Sequence, residues 1–149
     1  MFNVGYAVWA FAAGALIPVM AVLNANLARA AGNPAIAAAT LFAVGFIASL
    51  TVALASGVHG VGGLFSARPQ FFVGGIIVAF YIVSVTMLAP RFGVGNAILF
   101  IMTAQVFTSA AIDHFALFGA PSRPIDGLRI AGLVLLLAGL AVTQLGSRK

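Results

Sequence analysis

Apolar residues run almost without interruption through five stretches of the chain. Each stretch is separated from the next by a short cluster rich in Arg, Gly, Pro or Asn. A bilayer core takes roughly 20 consecutive apolar residues of helix to cross, and each stretch is about that long. The spacing predicts membrane spans at about 4–27, 35–56, 71–89, 94–115 and 127–145. The first ends at Arg29, Gly32, Asn33 and Pro34. A glycine-rich stretch from Gly57 to Gly63, holding His59, follows the second, and Arg68-Pro69 introduces the third. Pro90-Arg91-Phe92-Gly93 predicts a tight turn, because Pro and Gly together punctuate a helix. A loop from Phe118 to Asp126 precedes the fifth span. Short connections imply antiparallel neighbours. The expected fold class is therefore an all-α membrane protein of five transmembrane helices, in one transmembrane domain over 1–149 without tandem repeats. No Lys or Arg precedes Arg29, so the first span reads as a true span rather than a cleaved signal peptide.

Composition supports that reading. Of 149 residues, 63% are hydrophobic and only 6% charged, whereas soluble domains carry about 25% charged residues. The mean hydropathy of +1.19 excludes a disordered chain for the same reason. The absence of Cys excludes a disulfide scaffold, an Fe–S protein and a thiolate zinc site. Two acids and two histidines leave almost no material for a hydrolase or a metal cage. We therefore expect no enzyme activity, no catalytic residues, no cofactor and no metal. The net charge of +5 comes from seven scattered basic residues, which form no patch for nucleic acid.

Those basic residues bear on orientation. Arg68, Arg123 and Arg129 fall on the N-terminal side of the membrane; Arg29, Arg91, Arg148 and Lys149 fall on the other. Orientation follows an imbalance of Lys and Arg between the two sides, and three against four barely supplies one. Two readings stay open: a weakly specified single topology with a cytoplasmic C-terminus, and dual topology, with copies inserted both ways up.

The fourth span carries the densest polar set: Asn96, Thr103, Gln105, Thr108, Ser109, Asp113 and His114. At about 100° per residue, Gln105, Ser109 and Asp113 share an arc of about 80°. Gln105 sits near mid-bilayer, where an amide is costly unless partnered or wet. Asp113 lies about one turn from the end of its span. It is either a structural acid paired to Arg123, Arg129 or His114, or a group that meets substrate or carries a proton. An acid near a helix C-terminus opposes the helix dipole, so a specific partner is expected. His114 beside it is a candidate pH-sensitive group, gating or proton-linked like Asp113. The two do not form a catalytic pair, because adjacent helix positions point apart. His59 reads as a bystander.

In the first span, Asn3, Tyr6, Trp9, Asn24 and Asn26 are polar or amphipathic. Asn24 and Asn26 lie on different faces, and the deeper Asn24 is favoured for a cavity. Tyr6 and Trp9 read as interfacial anchors, and Pro18 as a kink or hinge. The third span holds Gly74, Gly75, Tyr81, Ser84 and Thr86. Tyr81 and Ser84 share a face, suited either to lining a cavity with Gln105 or to bonding a neighbouring helix. In the fifth span Gly132, Gly139 and Gly146 recur every seven residues, a small-residue seam for helix packing or dimerisation.

The stretch from Gln105 to Gly132, with its Asp113-His114-Phe115, Phe118-Gly119 and Arg123-Pro124, resembles the YdcZ family of the drug/metabolite transporter superfamily. Leu23-Asn24-Ala25-Asn26-Leu27-Ala28-Arg29 is similar to that family's first-span ending. Phe80-Tyr81 and Ala89-Pro90-Arg91-Phe92-Gly93 are similar to its third-span signature. The resemblance covers essentially the whole chain. It implies half of a ten-span inverted-repeat fold, multi-pass insertion in the bacterial inner (cytoplasmic) membrane, and assembly as an antiparallel pair. The partner is then a second copy or an inverted homologous subunit. By position Asn24, Tyr81, Gln105 and Asp113 match the family's polar pattern. One departure concerns the small multidrug resistance branch of the superfamily, which uses an acid deep in its first span to exchange protons for cationic drugs. This first span has no acid, which argues for a neutral or amphipathic solute handled by amides and hydroxyls.

The expected function is thus a small dual-topology secondary transporter or exporter of a small organic solute. It would work as an antiparallel homodimer in the lipid bilayer, with Gln105, Asn24, Tyr81, Ser84 and Ser109 around the solute. The alternatives are a dual-topology ion channel, in which amides and hydroxyls replace an ion's hydration shell, and a structural or accessory membrane subunit that transports nothing.

Overall fold

The computed structural model describes residues 4–57 and 59–146. Asn3, Arg148 and Lys149, which entered the polar inventory and the charge comparison, lie outside the described residues. Five helices are long and apolar enough to cross a membrane: Val4–Ala31, Pro34–Ala55, Pro69–Phe92, Val94–Phe115 and Gly127–Gly146. No strand occurs among the described residues. The protein is an all-α, five-span membrane protein.

Helix α1 is Val4–Ala31 and α2 is Pro34–Ala55. A short α3, Val61–Phe65, forms inside the glycine-rich stretch. A single 3-10 turn, Pro69–Phe72, leads into α4, Val73–Phe92. Helix α5 is Val94–Phe115 and α6 is Gly127–Gly146. The chain divides into two compact units, one running to Val94 and the other starting at Gly95.

In the first unit α1, α2 and α4 pack against one another. The side chains buried there are small: Ala21, Ala25 and Ala28 on α1, Ala37 and Ala38 on α2, and Ala89 beside Ile82 and Val85 on α4. Lipid is as apolar as leucine, so burial of apolar surface does not drive these helices together. Close backbone approach across small residues does. The turn from α1 to α2 is built by Gly32 and Asn33. Gly32 takes φ +67, a region that favours glycine. Asn33 then caps α2, its Oδ1 accepting from the N–H of Ala35 at 2.8 Å, with Pro34 at the first helical position. Helix α1 continues through Pro18 without a break, so the proline marks no boundary.

The turn expected over Pro90–Gly93 is shorter than that. Pro90 and Arg91 remain inside α4, which ends only at Gly93. A proline in the last turn removes one backbone hydrogen bond, and the buried Val85 and Ala89 hold the helix in place. Gly93 makes the turn alone, at φ 86 and ψ 137, with its N–H on the Ala89 carbonyl at 3.2 Å. Side chains other than glycine rarely adopt that conformation. Gly93→Ala is expected to cost about 1–3 kcal/mol, visible as a lower apparent melting temperature of the purified protein.

In the second unit α5 and α6 run antiparallel and are bonded at both ends. Gln144 donates to Asn96 Oδ1 at 3.1 Å at one end, and Arg129 meets Asp113 at the other. None of the residues of α6 is buried. Nothing lies within 4 Å of where a Cβ would stand at Gly132, Gly139 or Gly146, so the seam is open along its length.

Candidate functional site

The polar centre of the first unit is a contact between two spans. Asn24 of α1 and Thr86 of α4 are 5% and 1% exposed. Asn24 Nδ2 donates to Thr86 Oγ1. Thr86 Oγ1 in turn donates its one hydrogen to the Ile82 carbonyl at 2.7 Å. A hydroxyl has a single hydrogen to give, so the bond to Ile82 fixes which end of the amide faces Thr86. It leaves Asn24 Oδ1 buried with no hydrogen-bond partner. Groups of that kind are rare, since a buried acceptor normally finds a donor.

Asn24 also lines a groove of about 380 Å³ between α1 and α2. Its walls are apolar, from Leu16, Leu23 and Leu27 on one side and Leu41 and Val44 on the other. Thr40 lies in it too, with its hydroxyl committed to the Ile36 carbonyl at 2.9 Å. The groove is therefore an almost wholly apolar surface with Asn24 in its wall.

Asn26 behaves differently. It is exposed, and its Oδ1 accepts from an Arg29 guanidinium N–H. The two asparagines of the first-span ending thus have separate tasks: one joins helices, the other steadies an arginine. Tyr81 and Ser84 are half-buried on α4, and neither lines the groove beside Asn24. Thr86 lies about 140° around the helix from Tyr81. The contact between Asn24 and Thr86 was not anticipated from the sequence, where Thr86 appeared only among the polar residues of its span. The available signal was the i, i+3, i+4, i+7 spacing of Ile82, Val85, Thr86 and Ala89, which puts them on one helix face.

In the second unit Gln105 and Ser109 are exposed on α5, as is Thr108 between them. Ser109 donates to its own helix, at the Val106 carbonyl, 2.9 Å. Thr103, on another face, is buried and bonded to the Leu99 carbonyl at 2.8 Å.

At the end of α5, Asp113 has a partner. Its Oδ2 accepts from the Arg129 guanidinium at 2.7 Å, with both side chains about one-third exposed. Of the three candidates named from sequence, Arg129 is the one that forms an ion pair. Arg123 contributes through its backbone, its N–H donating to the Asp113 carbonyl at 2.8 Å. Asp126 caps α6, its Oδ1 accepting from the Arg129 N–H at 2.7 Å. His114 Nδ1 accepts from the Ile125 N–H at 3.1 Å, which requires an unprotonated Nδ1. Two non-glycine residues of this loop, Ala116 and Phe118, hold positive φ values of 49 and 57. Such conformations persist where surrounding contacts over-determine them, and the bonds of Asp113, His114 and Asp126 do so here.

A five-span helical chain with a buried amide, an exposed mid-span amide and a clamped last loop can be compared with known proteins. The family described as "Putative inner membrane exporter, YdcZ" matches residues 5–142. The chain belongs to this family. No curated protein and no solved structure matches it. Membership of the YdcZ family makes it a multi-pass protein of the inner membrane and assigns it to exporters, which are transporters rather than enzymes. The motifs through which it resembled the family now have physical content. The YdcZ-like first-span ending places Asn24 and Arg29, the third-span signature ends in Arg91 and Gly93, and the Asp-His-Phe stretch builds the clamp around Asp113.

Proposed function

We propose that this YdcZ-family protein exports a small neutral or amphipathic solute as an antiparallel dimer of two copies inserted in opposite senses. The observation that carries the reading is the exposed stripe of Gln105, Thr108 and Ser109 in the middle of a membrane-spanning helix. Hydrocarbon offers an amide no hydrogen bond, and polar groups at that depth face a bundle interior or a water-filled cavity. A second copy supplies such a cavity. The near balance of basic residues, three against four, favours insertion both ways.

In this reading each chain is one half of an inverted pair, and access alternates by rocking of one half against the other. Gln105 and Ser109 bind solute, and Asn24, at the wall of the apolar groove between α1 and α2, assists. The open seam of Gly132, Gly139 and Gly146 receives a helix of the partner. Asp113 and His114 form the gate: opening the Asp113–Arg129 pair and releasing Ile125 frees the loop between α5 and α6.

Labelling tests the assembly. The chain has no Cys, so one Cys added after Lys149 is a unique target. A membrane-impermeant maleimide applied to intact cells is expected to label a comparable fraction before and after lysis. Labelling from one side alone transfers the inverted role to a different subunit. If the protein then also associates stably with another membrane protein and moves no solute, it is an accessory subunit.

A further inference from the structure

A second cavity, of about 240 Å³, lies where the end of α1, the start of α2 and the end of α4 come together. Arg29 and Arg91 both line it, with Gly32, Pro34 and Thr86. The residues up to Val94 contain three arginines, Arg29, Arg68 and Arg91, and no acid. The chain's two acids are Asp113 and Asp126, both beyond Val94 and both engaged, one by the Arg129 guanidinium and the other by the first turn of α6. Two arginines from different spans therefore line one small cavity, with no carboxylate in their unit to offset them.

Arginine at the end of a span is ordinary: it serves the helix dipole and reaches the headgroup layer. That explanation requires neither that arginines from two different spans meet nor that a cavity separates them. Here Asn26 holds the Arg29 guanidinium, and the short turn through Gly32 and Asn33 brings the start of α2 to the same place. Nothing stands within 4 Å of a Cβ built at Gly32, so that wall is open. The positive end of the α2 dipole adds to the field of the two arginines.

We propose that Arg29 and Arg91 form a binding site for a phosphate-type oxyanion at headgroup depth. The forked guanidinium matches phosphate oxygens two at a time, and basic pockets between membrane helices are suited to anionic lipid headgroups. The oxyanion is carried either by an anionic phospholipid or free in solution. The site is separate from the solute groove and stands whether or not the protein exports anything.

The test uses the full chain in nanodiscs of phosphatidylcholine, with and without phosphatidylglycerol, and reads retained lipid by native mass spectrometry together with the apparent melting temperature. Inorganic phosphate added to phosphatidylcholine discs is the second probe. The wild type is expected to retain phosphatidylglycerol and to melt higher with it. The double variant R29Q/R91Q is expected to bind about thirtyfold more weakly, taking about 1 kcal/mol per arginine. R68Q, outside the cavity, is expected to bind like the wild type. An Arg29- and Arg91-dependent shift with phosphate alone places the source in solution; retention of phosphatidylglycerol places it in the lipid. Should the glutamine variant fail to fold, R29K/R91K keeps both charges and is expected to bind several-fold more weakly. The proposal is overturned if neither probe binds, if R68Q weakens binding as much as R29Q/R91Q, or if the lysine variant binds as tightly as the wild type.

Discussion

Gln105→Ala is expected to reduce efflux from proteoliposomes to background while leaving the chain folded and paired. The side chain is exposed, so its removal takes away no packing within the protein. Substitutions at such positions usually change stability by less than about 0.5 kcal/mol. Removing an amide from the middle of a span even relieves a cost. A large loss of flux with an unchanged melting temperature and an unchanged cross-linked dimer is therefore the signature of a group that meets solute. A panel of amphipathic fluorescent solutes provides the flux readout. Flux at the wild-type rate removes Gln105 from the site. Loss of the dimer instead makes the stripe an interface.

Asn24→Ala gives a useful contrast within the same experiment. It breaks the bond to Thr86, and interhelical hydrogen bonds in membranes contribute about 1 kcal/mol. It strands nothing, because Thr86 keeps its own bond to Ile82. Flux is expected to fall far more than that modest destabilisation accounts for.

The second large effect is at the clamp. Arg129→Ala is expected to destabilise the protein by about 2 kcal/mol, between the small contribution of exposed pairs and the larger one of buried pairs. Both side chains are about one-third exposed, which places the pair between those limits. Removing Arg129 also leaves Asp113 opposing the α5 dipole without its partner. The swapped pair, Asp113→Arg with Arg129→Asp, is expected to recover part of that loss, and the double-mutant cycle measures the coupling. Flux separates the two readings of Asp113. Recovery of flux with stability in the swapped pair assigns the residue to the clamp. Restored stability without flux, together with a lost pH dependence in Asp113→Asn, assigns it to proton-linked gating.

Much of this architecture was legible along the chain. A run of about 20 apolar residues has one low-energy form in a bilayer, since a helix satisfies its own backbone. The five spans follow, and the fourth and fifth start where the pattern placed them. Punctuation was harder. Pro90 reads as a break, yet α4 runs on to Phe92, because the loss of one hydrogen bond in a last turn is small against the packing of Ala89. Asp113 could be expected to have a partner from its position against the helix dipole. Which of three basic groups supplied it depended on how the loop from Ala116 to Asp126 folds back, with Ala116 and Phe118 at positive φ, and no local pattern announces that.

The sequence by itself determined that the chain has five membrane-spanning helices, where its charges lie, and that its few polar side chains concentrate on α5 and at the ends of α1 and α4. Each of those properties is a sum over neighbours in the chain. Only the tertiary structure decided that Asn24 meets Thr86, that Asn26 serves Arg29, and that Arg29 and Arg91 line one cavity. These are pairings between helices, and they depend on the rotation of each helix about its axis. In a membrane that rotation is set by where small residues let backbones approach, because an apolar face is equally content against lipid or protein.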